Sequence, residues 1–185
     1  MSINIPCYNQ CVNIKKFQEQ NITFVNYILK MKDELQSYLN KKFPQLYPSD
    51  FSFECGDGWF RIILWLSRYL DMYVVQQNEY SQKYPQQYQP VKPIVARQVK
   101  QKFGTLRFYY EGGDEHTRSI ISFVEFISGY ICETTGKEEN VGYNRKGFIQ
   151  TLHSDLKKDT YDFNFVDDEE LRTILKTYDQ KTNDQ

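Results

Sequence analysis

Between Asn21 and Leu39 the apolar residues Phe24, Ile28, Met31, Leu35, Tyr38 and Leu39 recur at alternating four- and three-residue steps. That spacing marks one face of a helix. Pro44 and Pro48 end it, because proline cannot donate within a helix. The first twenty residues carry little periodicity and are expected to form an irregular arm. A short extended piece, Phe51 to Glu54, follows the prolines. A second helix is predicted from about Gly58 to Asn78. Trp59, Ile62, Ile63, Leu66, Leu70 and Tyr73 make its principal face, and Phe60, Leu64 and Val74 widen it toward another. A helix apolar on so much of its girth is expected to be buried on more than one side.

Residues 76–93, QQNEYSQKYPQQYQPVKP, read as a long loop without packing of its own. The alternating, aromatic and β-branched run 94–113 then predicts a hairpin turning at Phe103-Gly104. Asp114 is placed to cap a helix through about Ile131, with Ile120, Val124, Ile127 and Ile131 on one face. In the tail, DDEE at 167–170 suits the start of a last helix carrying Leu171, Ile174, Leu175 and Tyr178. The expected class is α+β, an antiparallel hairpin or small sheet packed on a central buried helix with flanking helices. Its divisions are an arm (1–20), one domain (21–160), and a C-terminal helical segment with a frayed tail (161–185).

Composition changes this picture little. The chain has 185 residues, 40% hydrophobic and 25% charged, with a net charge of −1. Such a balance provides no global attraction to nucleic acid or an acidic membrane. Aromatics reach 16%, so an aromatic-rich core is expected. The start, MSINIPCYNQ, lacks a basic and an apolar region of the signal-peptide kind. The longest apolar run, Ile62 to Leu66, is too short to span a bilayer. A cytoplasmic location without a membrane partner is expected. Cys7, Cys11, Cys55 and Cys132 do not form a disulfide framework in such a chain, and no second pair joins Cys7 and Cys11 as zinc ligands. No cofactor or metal is expected.

The stretch FECGDGWF (53–60) most resembles an active site. It lacks the lysine and hydroxyl residue of a phosphate loop and the spaced oxygens of a calcium loop. Two readings remain. Asp57 caps the following helical turn, with glycines allowing a sharp approach. Alternatively Glu54 and Asp57, with Arg97, form a site of unassigned acid–base chemistry. His116 and His153 lie in no nucleophile motif and are expected at the surface.

The order ECGDGWF, RQVKQKFGTLRFYY, ICETTG, KGFIQTLH resembles a family of small uncharacterised proteins of bacterial and phage genomes. The resemblance covers about residues 53–153. It implies a metal knuckle at the third motif, commonly C-E-x-C-G with a later Cys or His. Here Thr135 stands at the second cysteine position, leaving Cys132 and His153, and two ligands do not hold a structural zinc. By association the resemblance implies an accessory, defence-related or immunity role, with no activity to carry over.

A two-residue turn at Phe103-Gly104 sets Lys102 opposite Thr105, Lys100 opposite Arg107, Val99 opposite Phe108, Gln98 opposite Tyr109 and Arg97 opposite Tyr110. Val95, Val99, Leu106 and Phe108 then face the core, with Arg97 inward and paired to a carboxylate such as Glu54. Lys100, Lys102, Arg107 and Tyr109 face solvent. Opposed like charges destabilise a strand pair, so either a carboxylate elsewhere (Glu138-Glu139, or the DDEE tail) neutralises them or the face binds. Three function classes follow. The first is a non-catalytic interaction module engaging an acidic protein surface through this face. The second is a nucleic-acid binder using the same cations and Tyr109. The third is an enzyme centred on Glu54, Asp57 and Arg97.

Overall fold

The computed structural model describes residues 30–144, 148–157 and 163–173. The arm, Cys7, Cys11, Phe24, Ile28 and the apolar residues of the tail beyond Thr173 lie outside them. The fold is α+β. Its elements are α1 (Asp33–Lys42), β1 (Phe53–Glu54), a 3-10 turn (Asp57–Trp59), α2 (Phe60–Lys83), β2 (Lys92–Lys102), β3 (Thr105–Gly113), α3 (Glu115–Ile127), β4 (Val141–Asn144), β5 (Thr151–His153) and β6 (Phe163–Phe165). The strands form two small sheets, ordered β1-β2-β3 and β5-β4-β6.

The first helix differs from expectation at Met31 and Lys32. Lys32 has an extended backbone and precedes the helix, so Met31 reaches the core from outside it. Gln36 joins Leu39 on the buried side, because its amide spans two segments. It donates to Met31 O (2.6 Å) and accepts from Phe53 N (2.8 Å). Tyr38, counted on the apolar face, is exposed.

The central helix also departs from expectation. It continues through Lys83, so residues 76–83 are helix rather than loop. What remains of that loop is tied down, since Asn78 donates to Val91 O (3.1 Å) and accepts from Val91 N (2.9 Å). The buried face is narrow: Ile63, Leu66, Ser67 and Leu70. Phe60, Ile62, Leu64 and Val74 are half-buried against the core, while Trp65, Met72 and Val75 are exposed.

The hairpin register is the expected one from Gln98 to the turn: Gln98↔Tyr109, Val99↔Phe108, Lys100↔Arg107 and Lys102↔Thr105. Beyond it the pairing shifts, with Ala96 opposite Tyr110, and Arg97 falls in a β-bulge. A bulge inserts one residue and reverses which side of the strand faces the core. Ile94 and Ala96 therefore point inward in place of Val95. β1 adds to β2 in parallel, Phe53↔Val99 and Glu54↔Lys100.

Ala96, Val99, Leu106 and Phe108 meet Ile63, Leu66 and Leu70 of α2, Leu39 of α1, and Tyr47 in one core. Each large apolar side chain fully buried there contributes roughly 1.5–3 kcal/mol. Tyr47 packs edge-on to Phe53 (4.9 Å between centroids) and satisfies its hydroxyl on Ser67 Oγ (2.6 Å). The helix after Asp114 opens with a reciprocal capping box between Asp114 and Thr117. It runs along the outer edge of β3, where Ser128 Oγ accepts from Leu106 N (2.8 Å) and Glu125 Oε1 from Phe108 N (2.7 Å).

The second sheet was not anticipated. Phe163–Phe165 forms a strand in the stretch assigned to the helical segment, and pairs with β4. Within the described tail, a helical turn over 169–173 follows the DDEE start. Asp168 caps it by accepting from Leu171 N (2.8 Å). Among the described residues no helix is long and apolar enough to cross a membrane.

Candidate functional site

The four sequence motifs converge. Glu133, from ICETTG, is almost wholly buried. Its carboxylate accepts from Gly56 N (3.0 Å) of ECGDGWF and faces Gln150 Nε2 (3.5 Å) of KGFIQTLH. Its backbone N–H donates to Thr151 O (2.9 Å) and its carbonyl accepts from Gly58 N (2.7 Å). At the tip of the RQVKQKFGTLRFYY hairpin, Thr151 Oγ1 donates to Gly104 O and Gln101 Nε2 to Ile149 O. Burial pushes the Glu133 carboxyl up to about 7, against the lowering effect of the Gly56 and Gln150 hydrogen bonds.

Gly58 has its own reason in this junction. A Cβ there would lie 2.2 Å from Cys132 O and 2.4 Å from Gly136 N. The 132–137 loop closes on itself through Cys132 N to Lys137 O and Gly136 N to Cys132 O, both 2.8 Å. Trp59 Nε1 donates to Ile131 O (2.9 Å) beside it. The glycine-flanked acid is thus a docking surface for ICETTG.

Asp57 is structural in a different way from that expected. The 3-10 turn has no side-chain cap. Asp57 Oδ1 instead accepts from Lys32 N (2.8 Å) and Oδ2 pairs with Lys32 Nζ (3.0 Å), so it holds the entrance of α1. Arg97 does not point inward to Glu54. The bulge turns it to solvent, where it pairs with Glu111 at 2.5 Å, and that hydrogen bond holds the Glu111 carboxyl below its ordinary value. Glu54 accepts from Gln98 Nε2 (2.9 Å). Glu54, Asp57 and Arg97 therefore engage three separate partners and do not form a cluster.

His116 is exposed and meets Tyr69 Oη at 2.6 Å. Tyr73 donates to Asp114 (2.8 Å), tying α2 to the start of α3. Burial, then the Asp114 carboxylate, pushes the Tyr73 hydroxyl up to about 12. His153 is buried, contrary to expectation, because β5 is covered on both sides. Its Nδ1 accepts from Asp155 N (3.2 Å) and its Nε2 lies 4.0 Å from Glu139. Cys132 is a buried free thiol, and burial pushes the Cys55 thiol well up. Among the described residues no group of three or more His, Cys, Asp and Glu is arranged to hold a metal.

The outer face of the first sheet carries Lys100, Lys102, Arg107 and Tyr109. Lys102 and Tyr109 are exposed, Lys100 and Arg107 half-buried. Neither Glu138-Glu139 nor the DDEE tail neutralises Arg107. Glu125 of α3 does, at 3.9 Å. Lys100 Nζ lies 5.6 Å over the Tyr109 ring.

This face ends at a feature absent from the sequence picture. The hairpin tip, the second half of α3 and the second sheet enclose an open cleft of about 1010 Å³. Phe103, Phe126, Tyr130, Tyr143 and Phe165 line it, with the Arg107–Glu125 pair on one wall. Phe126 and Tyr130 pack against each other at a tilt (5.3 Å between centroids) yet stay exposed. Phe103, 73% exposed, is held at φ +53, and Gly104 at φ +81. Comparison with protein-family models, with curated proteins and with solved structures finds no match.

Proposed function

We propose that the protein is a non-catalytic interaction module whose binding surface is the hairpin face and the adjoining aromatic cleft. Phe103 carries this reading. Two consecutive positive-φ positions favour Asn-Gly, which adopts the left-handed region at little cost. A bulky aromatic residue there is a genuine outlier. Held outward in solvent, Phe103 gains nothing from the core. Strain of this kind is retained where a surface is used. Phe126 and Tyr130 supply further exposed aromatic area, the kind enriched at interfaces.

Enzyme chemistry is the weaker reading, because the acids and Arg97 are separately engaged. The accessory or immunity role implied by the motif resemblance belongs to the same proposal. Phe103→Asn tests it. The variant should melt higher than wild type, and a photo-crosslinker at Phe126 should lose in that background a macromolecular adduct that it forms in the native chain. A crosslinker at Met72, exposed on α2, should form none with that macromolecule. Equal adducts at 126 and 72, or unchanged adducts in Phe103→Asn, would overturn the assignment.

A further inference from the structure

Trp65, Arg68, Met72, Val75, Glu79 and Gln82 follow one another along α2 at alternating three- and four-residue steps, and all six are exposed. From this stripe we infer that α2 pairs antiparallel with the α2 of a second copy of the chain. The surface is distinct from the cleft, which no residue of α2 lines, so either reading can fail without the other.

The steps average the 3.5-residue repeat that keeps one seam of a helix turned toward a neighbouring helix. Ile63, Leu66 and Leu70 turn into the core, and at 3.6 residues per turn the stripe stands nearly opposite them. Trp65, Met72 and Val75 are 55%, 45% and 52% exposed. Three large apolar side chains on one seam, turned away from the core, are what an association surface presents.

Charge selects the occupant. Arg68 and Glu79 flank Met72 and Val75 at equal distances along the stripe. Among the described residues neither is in an ion pair, and Arg68 rests on the Trp65 ring, 4.9 Å from its centroid. Consider a second copy laid antiparallel about a two-fold axis between Tyr73 and Val74. Met72 then meets Val75 and Arg68 meets Glu79, and the axis makes each contact twice. Trp65 falls opposite Gln82, whose amide oxygen can accept from the indole N–H. A parallel pairing would set Arg68 on Arg68 and Glu79 on Glu79, and like charges brought together oppose association. A nucleic acid or an acidic peptide would satisfy Arg68 and be repelled by Glu79, and a basic peptide the reverse. The stripe is complementary to itself, which a two-fold interface requires.

Sedimentation velocity of the full chain over a micromolar to millimolar series tests the pairing. The mass should move with concentration from 22.2 kDa toward twice that value. Arg68→Glu and Glu79→Arg should each weaken the dimer roughly tenfold with circular dichroism and melting unchanged, because both side chains are exposed. Mixed in equal amounts, the two variants should regain it, since each then supplies the charge the other lacks. The double variant should dimerise with itself and reject labelled wild-type chain. A monomer at every concentration would overturn the pairing and leave the cleft reading standing. A dimer indifferent to both substitutions and to Met72→Glu would lie on another surface and overturn it equally. A double variant that pairs with wild type rather than with itself would overturn the antiparallel arrangement.

Discussion

The Glu133 carboxylate accepts a hydrogen bond from the Gly56 amide across 77 residues of chain, at 3.0 Å and out of contact with solvent. The group is costly to ionise there, and its carboxyl is raised from 4.5 to about 7. Protonation is thus favoured more in the folded chain than in the unfolded one. The associated stability is fully present below about pH 4.5 and is lost as pH rises to about 7. Glu133→Gln should flatten this window and stabilise the chain at pH 8, by on the order of 3 kcal/mol at most. Urea denaturation midpoints between pH 4.5 and 8 measure it, and equal slopes for both proteins would refute it.

Gly58→Ala should destabilise the chain by roughly 1–3 kcal/mol, as overpacking does, because the new methyl meets the backbone of Cys132 and Gly136. Backbone cannot rotate aside as a side chain can. Thermal unfolding of the variant checks this, and a wild-type melting temperature would show that the junction is looser than described.

Asp57→Ala should cost about 1 kcal/mol, the usual loss for a carboxylate that satisfies a backbone N–H at a helix entrance. The change should be felt at α1, since Lys32 is the residue it holds. Hydrogen exchange should quicken over residues 32–36 and stay unchanged at β3. Faster exchange confined to residues 57–60 would restore the capping role expected from sequence.

Asn78→Ala removes both hydrogen bonds to Val91. Its expected cost is about 1–3 kcal/mol from the donor and acceptor left unpaired. Limited proteolysis between Tyr84 and Pro90, an exposed segment, should then be faster than in the native chain. Resistance equal to wild type would mean that Gln77 and the packing of Val91 suffice.

What was legible in the sequence is local. The turn at Phe103-Gly104 and the alternation beside it determine the pairing from Gln98 onward, because a two-residue turn leaves one register. The bulge at Arg97 escaped, since it depends on Ile94 and Ala96 finding the core in place of Val95, which alternation alone does not reveal. Asp57 was expected to cap its own turn; the backbone N–H it holds lies 25 residues away, beyond any local motif. Strands of three or four residues, as in the second sheet, are too short to show a period. The cleft aromatics did leave a trace. Phe126 and Tyr130 fall off the Ile120–Val124–Ile127 stripe, and aromatic residues on the polar side of a helix are a surface signal that core-seeking periodicity passes over.

Glu125 and Ser128 occupy the outward amides of β3, and Arg107 Nη1 donates to the Leu106 carbonyl (2.8 Å) on the same margin. Those are the groups an incoming strand would have to claim, whether from a ligand or from a second molecule. Along the Leu106–Phe108 stretch of β3 the sheet therefore cannot be lengthened. On that side, whatever enters the neighbouring cleft must be told apart by its side chains, since its backbone finds no ladder on β3 to join.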